Sequence, residues 1–180
     1  MTDSLPTRFL TAHDAMEHCI DLAIASASQG GGPFTAMVLA ADGTLISAAG
    51  NRVVADHDPT AHAEVLAIRG ACRATGSHQL PPGTQLISSC EPCRLCATAI
   101  HLSGICSVFY AASDEDTLTC GFAPNRLRDF YAQAYLESRK IAVQAGILRE
   151  RAMTPFQVFR GIGTPSYTPN RLQPKVSANE

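Results

Sequence analysis

The chain has 180 residues, of which 46% are hydrophobic and 17% charged, and its formal net charge at pH 7 is −2. This composition is typical of a globular protein and excludes a largely disordered chain, while the length suits one domain with a single sizeable core. Because no run of Lys and Arg resembles a nucleic-acid footprint and no window approaches the roughly 18 apolar residues of a membrane span, we expect neither nucleic acid nor membrane as a partner.

The first predicted element is a helix that begins at Thr11. Asp14, three positions on, completes a weaker form of the capping box. Apolar residues then recur at helical spacing, namely Met16, Ile20, Ala23, Ile24 and Ala27. The Gly-rich run 30–33 ends the helix.

A β-hairpin follows, with strands over 34–40 and 44–49 around an Asp42-Gly43 turn. Beyond an irregular segment, the pattern predicts helices and strands in alternation. They are a helix over 62–75, a strand over 84–89, a helix over 93–103, a strand over 105–112, a helix over roughly 125–138 and a short strand around Ile141. This alternation predicts an α/β fold in three layers, with a mixed five-stranded sheet and an antiparallel hairpin at one edge.

Cysteine usage indicates the compartment. The chain has seven Cys, an odd number, and its first ten residues lack a basic stretch followed by an apolar core. We therefore expect reduced thiols, metal ligation and a cytoplasmic protein.

Two short segments about thirty positions apart carry the candidate metal ligands. The first is His62-Ala63-Glu64, and the second runs from Pro92 through Cys93 to Cys96. Imidazole and thiolate are ligands that Zn²⁺ prefers, and three protein ligands leave the fourth tetrahedral position open to water. The spacing therefore predicts a catalytic zinc site at His62, Cys93 and Cys96.

Glu64 is the predicted proton shuttle of this site. It lies two positions from a ligand, close enough to take a proton from water and return it to a ring nitrogen and then to a departing amine. Hydrolytic deamination of an amidine-like carbon is the natural chemistry of such a set.

These residues resemble the cytidine deaminase superfamily, whose zinc members carry an H-x-E segment followed by P-C-x-x-C. The stretches DPTAHAE at 58–64 and CEPCRLC at 90–96 look like those of guanine deaminases and tRNA adenosine deaminases. Shorter stretches are similar to guanine and guanosine deaminases in particular; they are 31–34, Asn51, 108–112 and 121–122. The resemblance implies a Zn²⁺-dependent hydrolase that removes the exocyclic amine of a purine-like base or nucleoside, with guanine as leading candidate.

The resemblance also implies roles for other residues. Asn51 would hydrogen-bond the base, Phe34 would wall the pocket, and Ala63 with Pro92 would line its reacting edge. Asn51 could instead cap a turn, and Phe34 could belong to the core.

The Pro, Ser and Asn content beyond Gly161 predicts an extended tail over 161–180, which follows a deaminase domain over 1–160. The stretch 154–160 resembles one that guanine deaminases exchange between subunits, and Tyr167 lies near where a tyrosine enters the partner's site. We therefore expect a homodimer.

One departure bears on the substrate. Guanine deaminases follow the Gly-Phe pair with two aspartates, the second of which contacts the purine, whereas this chain has Ala123-Pro124-Asn125. Losing a charged hydrogen bond is worth on the order of 1.5–3 kcal/mol. Cytosine, a pterin or a triazine therefore stay open as substrates.

Three alternatives are weighed against this function. A tRNA-specific adenosine deaminase should carry a basic final helix, yet from Gly161 onward the chain has only Arg171 and Lys175. A non-catalytic zinc module predicts that Glu64 is dispensable. A closed site with Cys90 as fourth ligand, or an iron–sulfur cluster, does not account for Glu64 beside His62.

Overall fold

The structure is a computed structural model that describes residues 7–120, 122 and 132–162. Five strands run through it: β1 (Thr35–Leu39), β2 (Leu45–Gly50), β3 (Gln85–Cys90), β4 (Ser107–Ala112) and β5 (Ala142–Gln144). They form one sheet in the order β2-β1-β3-β4-β5. β1 is antiparallel to both β2 and β3, whereas β3, β4 and β5 are parallel. The predicted mixed sheet with an antiparallel edge hairpin is confirmed.

Six α-helices and one 3₁₀ turn lie in the described residues. They are α1 (Ala12–Ser28), α2 (Ala63–Thr75), α3 (Arg94–Leu102), α4 (Asp114–Thr119), α5 (Ala132–Ser138), the 3₁₀ turn Arg151–Met153 and α6 (Thr154–Gly161). None of these helices combines the length and the apolar character that a bilayer span requires.

Two core clusters lie on opposite faces of the sheet. Alternate residues of β1 divide between them, since Met37 and Leu39 face α1 and α6 while Ala36 and Val38 face α2 and α3. This alternation is what a strand buried on both faces requires. The predicted three layers are thus confirmed, with one helix layer on each side of the sheet.

The N-terminal elements follow their local signals. The Thr11 side chain accepts the Asp14 N–H at 3.0 Å and caps α1. In the hairpin, Gly43 has a φ of 84° and its N–H donates to Ala40 O at 3.0 Å, as a tight turn requires.

The last two helices in the described residues are α5 and α6. Only Ala132–Ser138 of the predicted helix 125–138 is described, and residues 123–131 lie outside the described part of the chain. α6 was not predicted as a helix, yet Pro155 in its first turn and the buried Phe156 and Phe159 at i, i+3 spacing are helical signals. It packs on α1 of its own chain.

α4 is anchored at its N-terminus by one acidic side chain. Asp116 and Ser113 form a capping box, and Asp116 also accepts two hydrogen bonds from Arg149 at 2.8 Å each. The Arg149 contact lowers the pKa of Asp116 to about 2. Because α4 follows β4 directly, this anchor fixes the helix beside the sheet edge.

We expect Asp116→Asn to lower the free energy of unfolding by about 1 kcal/mol at pH 7, the usual cost of a lost cap. A carboxyl whose folded pKa is depressed stabilises the fold above its unfolded pKa of about 3.9, and this contribution is lost as the pH falls to about 2. Urea unfolding at several pH values should show the gap between the two proteins closing between pH 4 and pH 2. A gap that stays constant over this range would contradict an ionic origin.

Candidate active site

The candidate site lies at one edge of the sheet, where three strand ends meet. Thr35, the first residue of β1, pairs with Gly50, the last of β2, and Ala36 pairs with Ser88 near the end of β3. Residues that precede β1 and follow β2 and β3 are therefore brought together. In α/β sheets, the carboxyl ends of the strands are where ligands usually bind.

His62 is presented by a folded loop between β2 and α2. The loop is closed at its base, since Arg52 N–H donates to Ala61 O at 3.0 Å. Inside it, Asp58 accepts both the N–H and the hydroxyl of Thr60, at 2.8 Å and 2.7 Å. This turn delivers His62 as the N-cap of α2.

Cys93 occupies the matching position on α3. It is the N-cap of that helix, and Cys96 lies on its first turn. The N-termini of α2 and α3 therefore meet at one place. Their positive dipole ends favour the thiolate form of cysteine there.

The three candidate ligand atoms form an equilateral triangle. His62 Nδ1 lies 3.5 Å from Cys93 Sγ and 3.5 Å from Cys96 Sγ, and the two Sγ atoms are 3.5 Å apart. Zn–S bonds of about 2.3 Å and Zn–N bonds of about 2.0 Å in a tetrahedron place ligand atoms at about these separations. The residues therefore fit a three-ligand metal site with one open position.

Cys90 does not join this group. The described residues that could hold a metal are His62, Cys93 and Cys96, whereas Cys90 packs in the core cluster on the α1 side. The closed four-ligand site considered from the sequence is therefore not formed among them.

The electrostatics of the site are set by burial and by these close contacts. The Glu64 side chain is buried, and its desolvation, together with the nearby Cys93, raises the pKa of the carboxyl to about 7. Contact with the Cys96 thiol and with His62 lowers the pKa of Cys93 to about 4. A carboxyl with such a pKa can take up and release a proton near neutral pH.

Asn51 lies directly after β2 and is half buried. Its N–H donates to Phe34 O at 2.9 Å, and its side-chain Oδ1 accepts the Val53 N–H at 3.2 Å. The side chain therefore caps a turn, as one interpretation of the sequence predicts. It also brings Asn51 to the same sheet edge as the metal ligands.

The remaining predicted substrate contacts take different positions. Ala63 and Pro92 are buried beside the ligands His62 and Cys93. Phe34 packs edge-on against two other rings, with ring centroids 5.4 Å from those of both Phe122 and Phe156. Phe34 thus belongs to an aromatic cluster that includes Phe156 of α6 and packs that helix against the sheet.

Tyr167 and the Ala123-Pro124-Asn125 stretch lie outside the described residues. Glu91 is a residue that the sequence did not single out. Its Oε2 accepts the Asp114 N–H at 3.0 Å, which ties the metal-binding loop to the start of α4. No periodicity or spacing in the sequence signals this contact.

Comparison with known proteins places these residues in a family. Residues 11–112 match the model of the cytidine and deoxycytidylate deaminase zinc-binding region. A guanine deaminase of Bacillus subtilis is 39% identical over 147 residues, which cover 81% of this chain and 91% of that protein.

Two further similarities cover different shares of the chain. A solved structure of a guanine deaminase from Nitrosomonas europaea superposes with a TM-score of 0.79 at 30% identity, covering 89% of this chain and 98% of that one. A tRNA-specific adenosine deaminase of Agrobacterium fabrum is 42% identical over 101 residues, 54% of this chain and 65% of its own length.

Proposed function

The chain belongs to the cytidine and deoxycytidylate deaminase family, and from this membership we propose that it is a zinc-dependent guanine deaminase, which converts guanine and water to xanthine and ammonia. The observation that carries the proposal is the triangle of His62, Cys93 and Cys96 beside the buried Glu64. The guanine deaminases of two bacteria, similar over most of this chain, support guanine as the substrate.

The positions of the side chains support the following proposed roles. His62, Cys93 and Cys96 hold Zn²⁺, which when bound supplies the Lewis acidity that makes water a nucleophile at neutral pH. Glu64 accepts one proton from the attacking water and transfers it to a ring nitrogen of guanine. It then takes the second proton, from the hydroxyl formed on the ring carbon, and gives it to the amine, which leaves as ammonia as the C=O bond of xanthine forms. Its burial keeps bulk water from competing for that proton.

Other residues would orient the base. Asn51 donates a hydrogen bond to an acceptor on the heterocycle, Ala63 and Pro92 line the reacting edge, and Phe34 closes one side of the pocket. By the resemblance to guanine deaminases, Tyr167 of the tail over 161–180 would complete this set, and residues 1–160 would form the deaminase domain.

We propose a homodimer in the cytoplasm. Leu95 and Leu102 are exposed on α3 and offer apolar surface for a second copy. All seven cysteines are free thiols, which suits a reducing compartment.

Ammonia release from the zinc-loaded protein tests the substrate. We expect release from guanine to exceed that from guanosine, adenine, cytosine, a pterin and a triazine, since a pocket that hydrogen-bonds its substrate can discriminate by 10⁴-fold or more between analogues. The Glu64→Gln variant is the control for contaminating deaminases. Release from another heterocycle and not from guanine would overturn the assignment of guanine.

The second candidate is a tRNA-specific adenosine deaminase, which the similarity of 101 residues to such an enzyme favours. That enzyme must hold the phosphates of a folded RNA near the site, whereas this chain has a net charge of −2. A transcribed tRNA added to the same panel distinguishes the two candidates, because conversion of its adenosine to inosine would support the second.

A further inference from the structure

The turn that precedes β1 packs closely against the last turn of α1, and glycines on the turn side make this close approach possible. The Ser26 hydroxyl of α1 donates to Gly32 O at 2.9 Å, and Ser26 O accepts the Gly31 N–H at 2.9 Å. A Cβ atom on Gly31 would lie only 2.6 Å from Ser26 Oγ. Two hydrogen bonds of Ser26 thus hold residues 30–32, the glycine turn, against α1.

The other side of the glycine turn lies close to the Asn51 side chain. A Cβ atom on Gly32 would lie 3.1 Å from both Cβ and Oδ1 of Asn51, and 3.2 Å from its Cγ. Close-packed carbon atoms stay about 3.5–4.0 Å apart, so an alanine at position 32 would require the Asn51 side chain to shift by a few tenths of an ångström. The Asn51 backbone cannot yield freely, because its N–H is bound to Phe34 O.

The orientation of the Asn51 carboxamide is also defined. Its oxygen faces the Val53 N–H, a donor, so the oxygen and nitrogen positions are not interchangeable. Among the described residues, no hydrogen bond engages the Asn51 amide nitrogen. The NH₂ group is therefore the end of the side chain that a ligand can meet.

We propose that Ser26 and Gly32 are positioning residues that hold the Asn51 carboxamide with its NH₂ group towards the substrate. This inference rests on the proposed function and deepens it. An oriented NH₂ group can only donate, so tight binding requires a hydrogen-bond acceptor, a carbonyl oxygen or an unprotonated ring nitrogen, on that edge of the heterocycle. A heterocycle with a donor there would leave both groups unpaired.

Binding in a non-catalytic background tests the proposal. Zinc-loaded Glu64→Gln protein is dialysed to equilibrium with radiolabelled guanine, alone or with Ser26→Ala or Gly32→Ala added. We expect each addition to weaken binding about 5- to 20-fold, the range for one misplaced hydrogen bond. Ser28→Ala is the matched control, because the Ser28 hydroxyl of the same helix donates within α1, to Ile24 O at 2.8 Å.

A double-mutant cycle separates positioning from general damage. In protein that also carries Asn51→Ala, the Ser26 and Gly32 substitutions should change guanine binding by less than about twofold, because the group they position is gone. Effects that simply add to that of Asn51→Ala would overturn the proposal. The zinc content of each variant shows whether the metal site is intact.

An NMR measurement on the ligand-free protein tests the positioning of Asn51 independently of whether guanine is the substrate. In ¹⁵N-labelled protein, the Asn51 side-chain amide signal is identified by its loss in Asn51→Ala. It should shift in Ser26→Ala and Gly32→Ala and stay in place in Ser28→Ala. If the signal shifts but guanine does not bind, the assignment of guanine as substrate is overturned and the positioning role is supported. If the signal stays in place in both variants, the positioning role is overturned.

Discussion

The Glu64→Gln variant is expected to lose about two to four orders of magnitude in kcat, the usual contribution of a general acid–base group, while it keeps its zinc. The reason is that Gln occupies nearly the same volume but can neither accept nor return a proton. The Glu64 carboxyl contacts the Cys96 thiol, and Glu64 itself supplies no corner of the ligand triangle. Turnover of guanine and metal content, measured on the same preparation, check both parts.

Glu115→Gln is the control for this substitution, because it makes the same chemical change at an exposed position on α4. We expect its kcat to be unchanged. Thermal unfolding adds a second check: burying a neutral amide avoids the cost of burying a carboxylate, so Glu64→Gln should unfold no earlier than the parent. A kcat close to that of the parent would show that Glu64 is not the shuttle.

We expect Cys96→Ala to hold less than about a tenth of a zinc ion per chain and to have no measurable turnover, since two ligands do not retain Zn²⁺ against dilution. Cys96 is fully buried and supplies one corner of the ligand triangle, so its loss leaves only His62 and Cys93 as ligands. Metal analysis after gel filtration measures the loss.

Two other cysteines provide controls for the metal site. Cys106 is exposed and its thiol donates to Thr84 O at 3.3 Å, so Cys106→Ala should keep full zinc. Cys90→Ala should also keep zinc, because Cys90 lies in the core and outside the triangle. Zinc loss in Cys90→Ala would instead indicate a closed structural site.

The sheet and the metal triangle could be predicted from sequence because their signals are local. Apolar runs bounded by turns predict β1 to β4, and the three-residue spacing of Cys93 and Cys96 predicts that both thiols lie on one side of α3. In the structure Cys93 is the N-cap of α3 and not its first helical residue. His62, which the sequence predicts as the first residue of α2, is likewise the N-cap of that helix, a difference of one residue.

Non-local contacts account for what could not be predicted. The sequence predicts that residues 30–33 end α1, and Gly30, with a φ of 80°, fulfils that role. The close approach of Gly32 to Asn51 joins residues nineteen positions apart, and Glu91 reaches Asp114 across twenty-three. Neither pairing has a periodicity that a single sequence displays.

The two core clusters differ in how early a growing chain can complete them. The cluster that supports α2 and α3 uses residues from Ala36 to Ile141, whereas the cluster on α1 also needs Phe156 and Phe159, near the end of the described chain. During synthesis the buried residues of the α2 and α3 cluster are therefore made before α6, which covers the α1 side of the sheet. A product that terminates before Thr154 would carry every ligand yet leave an apolar face of α1 open to water, which favours aggregation.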